Sequence, residues 1–342
     1  GEAERGAVLT SGYLISIIVM STAGGIADRR GPRLVLRIGV IIAALAAFLT
    51  GLISNTYLLL LICLGLNRVA EGIIQPATNT LISTGVAPTR QGIAMATKQS
   101  AVPFSTALAG FAVPTLGLFF DWQGTFLLVA CLAVPTWLLI PNIKVSETKE
   151  FSSRREMWGS RHLQIIAVAG AFSAAAVVTV AGFLTTSAKN AGYSESSAGL
   201  ILGLGGVVMI AARLSWGFLA DRFSFNRFKA VAISLLTGSL AFILFAIGSK
   251  ATILFGALFV FGIGWSWPGL LLLGVIEEHP EEPGAATATL QTSIRLGAMV
   301  APLGFGLIAD SYGYGAAWMC SFAATILGSV LMLIASKVTQ SR

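Results

Sequence analysis

The sequence predicts an all-α membrane protein, and three observations predict it. Of 342 residues, 55% are hydrophobic and only 11% are charged, with a mean hydropathy of +0.83; a soluble domain carries about 25% charged residues. Apolar stretches of about 20 residues recur from one end of the chain to the other, each long enough to cross roughly 30 Å of hydrocarbon as a helix. These stretches lack the period-two alternation of a transmembrane barrel. They also lack the polar faces that a soluble helix needs to meet water.

Eleven spans are predicted, at about 7–28, 34–53, 56–84, 91–119, 124–141, 162–189, 194–220, 228–248, 251–275, 284–309 and 314–336. Gly31-Pro32, Ala87-Pro88, Pro280, Pro283 and Gly313-Tyr314-Gly315 punctuate the connections. The longest hydrophilic stretch, 142–161, holds Lys144, Lys149, Arg154, Arg155 and Arg161 against Glu147, Glu150 and Glu156. It divides the chain into an N-terminal bundle (1–141), a linker (142–161) and a C-terminal bundle (162–342).

Loop charge orients the spans. Alternate assignment puts fifteen Lys and Arg on one side and three (Arg5, Lys189 and Lys250) on the other, with four left inside spans. The positive-inside rule makes the first side, and with it the C-terminus, cytoplasmic, in a plasma or inner membrane. One cytoplasmic loop is acidic (Glu277, Glu278, Glu281 and Glu282), but acidic residues weigh little in this rule. The net charge of +7 thus reads as topology, not as nucleic-acid binding.

Cys63, Cys131 and Cys320 show no paired or metal-ligand spacing and read as packing residues. His162 and His279 fall at or beyond span ends and read as solvated loop residues. The polar start, Gly1 to Arg5, is unlike a signal peptide. No metal or cofactor is implied.

The chain repeats itself. Gly24, Asp28 and Arg29 recur 193 residues later as Gly217, Asp221 and Arg222, each set closing a span. At an offset of 192, GIAMATKQSAV from Gly92 aligns with GAATATLQTSI from Gly284, Gly72 meets Gly264, and Pro76 meets Pro268. Such parallel repeats are known among transporters.

These residues carry a resemblance. The G-x-x-x-D-R-x-G-x-R string, here Gly24, Asp28, Arg29, Gly31 and Arg33, resembles the cytoplasmic loop signature of the major facilitator superfamily (MFS). The second copy keeps Gly217, Asp221 and Arg222 but has Ser224 in place of the next Gly. Arg68, Glu71 and Gly72 match a further motif of the family's fourth helix. The resemblance covers the whole chain and implies the MFS fold, two pseudo-symmetric six-helix bundles, with secondary transport of a small molecule by alternating access. Only one span precedes the first motif, whereas two precede its twin after the linker, so the family's first helix is expected to be missing. The resemblance also implies that Asp28 and Asp221 approach the helix N-termini near Gly284 and Gly92. They would act as gating latches that exist only while the cytoplasmic side is closed. The alternative is that these are solvated loop charges that fix topology.

Five ionisable residues lie within spans: Arg68, Glu71, Lys98, Arg213 and Arg295. A basic residue at mid-span costs at least about 2.5–3.5 kcal/mol, so it is expected to face a cavity or a partner. Arg68 and Glu71, three apart on one helix, can form a structural ion pair, or Glu71 can take up a proton during transport. Arg213, eight residues before Asp221, looks like the substrate-binding arginine of oxalate and monocarboxylate carriers; the alternative is snorkelling to the surface. Arg295 sits deep in its span, and Gln291 shares its face. Gln291 is also the repeat counterpart of Gln99. Lys98 adds a further charge, and Trp265 and Trp267 are candidates for an aromatic wall or for packing.

The excess of basic over acidic groups points to a small organic anion, a carboxylate, bound by Arg213 and Arg295 and coupled to protons or to anion exchange. Gln291, Lys98, Gln99 and Trp265 join that candidate site. Two alternatives are efflux of hydrophobic compounds and uptake of a neutral solute such as a sugar. The G-x-x-x-G-P string usual in exporters is incomplete at Gly110-Phe111-Ala112-Val113-Pro114, which weakens the efflux reading. No nucleophile–base arrangement, paired membrane carboxylates or His/Cys cluster suggests an enzyme.

Overall fold

The structure is a computed structural model, and it describes residues 1–87, 90–112, 115, 121–141, 160–279 and 283–340. These are almost wholly helical, with no strand among the described residues. In chain order the helices are α1 (Glu2–Arg30), α2 (Pro32–Ile53), α3 (Tyr57–Gly85), α4 (Gln91–Gln99) and α5 (Ala101–Ala112). Then come α6 (Trp122–Cys131), α7 (Ala133–Leu139), α8 (Arg161–Asn190), α9 (Glu195–Arg222) and α10 (Arg227–Gly238). The last are α11 (Leu240–Ile247), α12 (Lys250–Phe259), α13 (Pro268–Glu278) and α14 (Pro283–Gln340).

Local chemistry sets the ends. The side chains of Thr56, Ser160, Ser194, Asn226 and Ser249 each accept a backbone N–H three residues on, which satisfies a donor that the first turn leaves free. Ser249 and Thr252 form a reciprocal capping box. Gly31, with φ 85°, separates α1 from α2, and Pro32 then opens α2, where its fixed φ suits the first helical turn.

Several predicted spans are built from two helices. Span 228–248 is α10 and α11, which meet at Ser239; span 124–141 is α6 and α7, which meet at Leu132. Span 251–275 is α12 and α13 with a π-helical turn, Val260–Gly264, between them. Conversely, the two spans 284–309 and 314–336 run on as α14, whose backbone is non-helical at Gly313 alone (φ 84°, ψ 166°). That turn needs glycine, since a side chain at positive φ is strained. Gly313→Ala meets no neighbouring atom within 4 Å, so backbone strain is its whole cost. A loss of about 1 kcal/mol is expected, read as a lower melting temperature in detergent.

Contacts group the chain into two compact units. One comprises Gly1–Thr10, Pro88–Pro114 and Phe151–Arg342; the other comprises Ser11–Ala87 and Thr115–Glu150. The segment 88–114, placed by sequence in the N-terminal bundle, thus packs with the helices that follow the linker. The linker itself lies almost wholly outside the described residues.

In the first unit, Phe183, Phe305, Trp318, Phe242 and Phe245 form one aromatic core. Phe183 stacks on Phe305 at 4.4 Å, and Trp318 meets Phe305 at 4.6 Å and Phe245 at 4.9 Å between ring centroids. The Trp318 Nε1–H donates to Ser187 Oγ at 3.0 Å, so the buried indole is satisfied. In the second unit, Val35, Leu36, Val40, Ala77 and Ile140 pack together, and the Arg37 guanidinium lies 4.2 Å over the Trp137 ring.

Large apolar side chains such as Leu58, Leu138 and Phe255 are exposed along the helices. That is the expected surface of a protein whose solvent is lipid. Nine stretches among the described residues are long and apolar enough to cross a membrane. The figure falls below eleven because the described part of span 91–119 ends at Ala112 and because the last two spans run together at Gly313.

Two expectations about single residues need correction. Cys63 is buried, but Cys131 and Cys320 are exposed, because they fall on outward-facing positions of their helices. His162 is not solvated. It is buried in the first turn of α8, its Nε2 lies 2.9 Å from Glu278 Oε2 at the end of α13, and its ring meets Phe228 edge-on at 5.9 Å.

Candidate functional site

Arg213 sits on α9 and is only 3% exposed. Its guanidinium is held by carbonyl oxygens. Nη1 donates to the Gln99 carbonyl at the end of α4, and Nη2 donates to the Trp265 carbonyl at 3.2 Å. Both carbonyls are available because both helices are interrupted there. Helix α4 ends at Gln99, one residue before α5 begins, and Trp265 follows the π turn that separates α12 from α13. Such freed acceptors are what an irregular turn supplies inside a membrane bundle.

The π turn is itself fixed by close packing. Gly238 on α10 and Gly264 approach so closely that a methyl on Gly238 would collide with the Gly264 backbone. Ser234 Oγ donates to the Ile263 carbonyl at 2.6 Å, and the Trp265 N–H donates to the Val260 carbonyl at 2.7 Å.

The Arg213 Nε has no hydrogen-bond partner among the described residues, and no described carboxylate lies within ion-pair distance of the guanidinium. The charge is thus solvated by two peptide dipoles, with its Nε–H unbonded among the described residues. A small pocket, with room for about one water, opens beside it and is lined by Arg213, Trp216, Ser266, Gly92, Ala96 and Gly217. Trp216 is anchored, its Nε1–H donating to Ser266 Oγ at 3.1 Å.

Gln99 reaches the site through its backbone, and so does Trp265. The Trp265 ring stacks on Phe261 at 6.0 Å and is buried, and Trp267 is buried too. Lys98, beside Gln99, stands close enough to Arg295 for their charges to interact. Arg295 is 9% exposed, and Gln291 is half-buried one turn earlier on α14. The structure therefore assembles Arg213, Gln99 and Trp265 directly, and Lys98 with Arg295 as a second basic pair.

Arg68 and Glu71 lie in the second unit and form an ion pair at 2.8 Å, with Tyr13 beneath the Arg68 guanidinium at 5.6 Å.

At the loop motif, Asp221 Oδ2 accepts the Ile93 N–H at 3.2 Å in the first turn of α4. The approach leaves no room for a side chain at Gly92, where a methyl would strike the Asp221 carboxylate. The side chains of Asp28 and Arg29 lie outside what the structure describes, as do the surroundings of Gly24 and Gly284. Gly31 and Arg33 flank the α1–α2 turn, Gly217 packs against Ala96, and Arg222 ends α9. Sequence reasoning missed the roles of Trp216 and Ser266. The two hydroxyl and indole positions carry no charge that would have marked them.

The helix order and this geometry define a multi-pass helical carrier fold. The family model described as Major Facilitator Superfamily matches residues 2–302. The chain belongs to that superfamily. Among solved structures, that of the human organic anion transporter MFSD10 (TETRAN) has a TM-score of 0.72 at 17% identity, covering 96% of this chain and 83% of that one. That of a variant of the E. coli fucose:proton symporter FucP has a TM-score of 0.70 at 15% identity, covering 98% and 90% respectively. At these identities the likeness is one of fold. No curated protein matches the chain.

Proposed function

We propose that this protein carries a small organic anion, a carboxylate, across a plasma or inner membrane by alternating access, with its C-terminus in the cytoplasm and no chemistry done on the cargo. The observation that carries this reading is the buried Arg213 guanidinium, bonded to two carbonyls and to no described carboxylate. A fixed positive charge in a low-dielectric site favours an anion over a neutral solute, and a guanidinium fork fits a carboxylate. Arg295 and Lys98 form the second basic locus, with Gln291 beside Arg295. Glu71, paired with Arg68, is the proposed proton acceptor, and Asp28 and Asp221 are the proposed gating carboxylates.

Reconstitution in liposomes tests the proposal, using labelled small carboxylates, a sugar and a hydrophobic cation with and without a pH gradient. Carboxylate uptake alone is expected. Stimulation by the gradient that disappears in Glu71→Gln would assign proton coupling to that residue. Transport of the sugar or the cation, with none of the carboxylates, would overturn the anion reading.

A further inference from the structure

The cap at Asp221 has a counterpart at the far ends of the helices. Asp310, near the end of the first stretch of α14, accepts two backbone N–H groups from the first turn of α1: Glu2 to Oδ1 at 3.1 Å and Ala3 to Oδ2 at 2.9 Å. All these residues belong to the first unit. From the start of α14 at Pro283, beside the end of α13, to Asp310 is about 40 Å of helix at 1.5 Å per residue. Following α9 to α14 back and forth puts Pro283 on the face that holds Asp221. Asp310 therefore lies on the other face.

The contact is built, not incidental. Below the cap, α1 and α14 touch backbone to backbone. A methyl on Gly6 would collide with the Pro302 carbonyl, and one on Gly306 would collide with the Glu2 carbonyl. Thr10 Oγ1 donates to the Met299 carbonyl at 2.6 Å one turn further down. Arg5 bonds Glu2 at 3.0 Å and also bonds Thr186, near the end of α8.

The repeat supports the arrangement. Glu2 and Gly6 correspond to Glu195 and Gly199 at the offset of 193, and Glu195 opens α9 behind its Ser194 cap. Gly199 in turn meets Gly110, the counterpart of Pro302 at the offset of 192.

We infer that Asp310 is a gating residue, a latch that holds the α1–α14 seam shut on the face opposite Asp221 and must release α1 each time that face opens. A carboxylate at a helix N-terminus meets both the dipole and free N–H donors. It is strong enough to bias a closed state and weak enough to break in every cycle. The inference concerns opening, so it stands apart from what the cargo is.

The test reads opening without any substrate. In a cysteine-free background, Thr10→Cys is introduced below the cap, and its labelling by a membrane-impermeant maleimide is timed from each face of oriented vesicles. Asp310→Ala is expected to raise labelling from the Asp310 face about two- to fivefold, the bias a helix-terminus carboxylate supplies, with Asp310→Asn in between. Gly306→Ala should raise it too, because it forces the same seam apart without touching the carboxylate. Asp221→Ala should lower it, by favouring opening of the opposite face. Unchanged labelling in Asp310→Ala and Gly306→Ala, with monodisperse protein, would overturn the inference. If Asp310→Ala does not fold, equal labelling of Asp310→Asn and the parent would do so.

Discussion

Arg213→Gln is expected to abolish carboxylate uptake and, at the same time, to raise the melting temperature of the empty protein. The two effects have one cause. The guanidinium is almost wholly buried, is bonded to the Gln99 and Trp265 carbonyls, and has no described carboxylate to offset its charge. Keeping an uncompensated charge out of water is costly, so a neutral side chain of similar length relieves the empty fold. The same charge is what an anion gains on binding. Losing one partner of a buried charge pair costs about 2–5 kcal/mol, which is roughly 30- to 4000-fold in affinity. Arg213→Lys should recover little, because an ammonium cannot span two carbonyls and still present a fork to a carboxylate. Uptake and thermal melting together check this. A variant that loses uptake and also melts lower would make Arg213 a structural residue and take the site away.

Gly238→Ala is expected to reduce uptake at least tenfold, although Gly238 does not touch the guanidinium. Its new methyl would meet the Gly264 backbone, which has no side chain to swing aside, so α10 and the π turn must separate. Overpacking of this kind costs about 1–3 kcal/mol. Here the displaced segment carries the Trp265 carbonyl that holds Arg213 Nη2, so the disturbance reaches the site. Gly304→Ala is the control. Nothing lies within 4 Å of a methyl there, and the position is helical, so transport should be unchanged. An unaltered KM in Gly238→Ala, with transport intact, would show that the π turn does not position Arg213.

Much of this was legible in the sequence, for reasons that differ from part to part. Apolar run length is a direct consequence of bilayer thickness, so the helices stand close to where hydropathy puts them. That Asp221 lies near the helix start at Gly92 was implied by the motif's family resemblance, not by residue spacing. The breaks at Ser239 and Val260–Gly264 were not legible, since both lie within uninterrupted apolar runs and neither is marked by proline within the break. Trp265 and Gln99 were marked for their side chains, yet it is their carbonyls that hold Arg213, and every residue type has a carbonyl. His162 misled through its position at a span end. Its burial depends on Phe228 and Glu278, which lie 66 and 116 residues away in sequence.

The seams of Gly6 with Pro302 and of Gly110 with Gly199 also bear on how fast such a molecule can turn over. Where side chains interlock, one helix can tilt on another only if each side chain first climbs out of its notch, and every such step adds to the activation barrier. Bare backbone offers no notches. Resistance to tilting then lies at the rims, where Asp221 and Asp310 grip the helix starts. The speed of the cycle would be set by a handful of hydrogen bonds near the water, which small substitutions can tune without disturbing the cargo site.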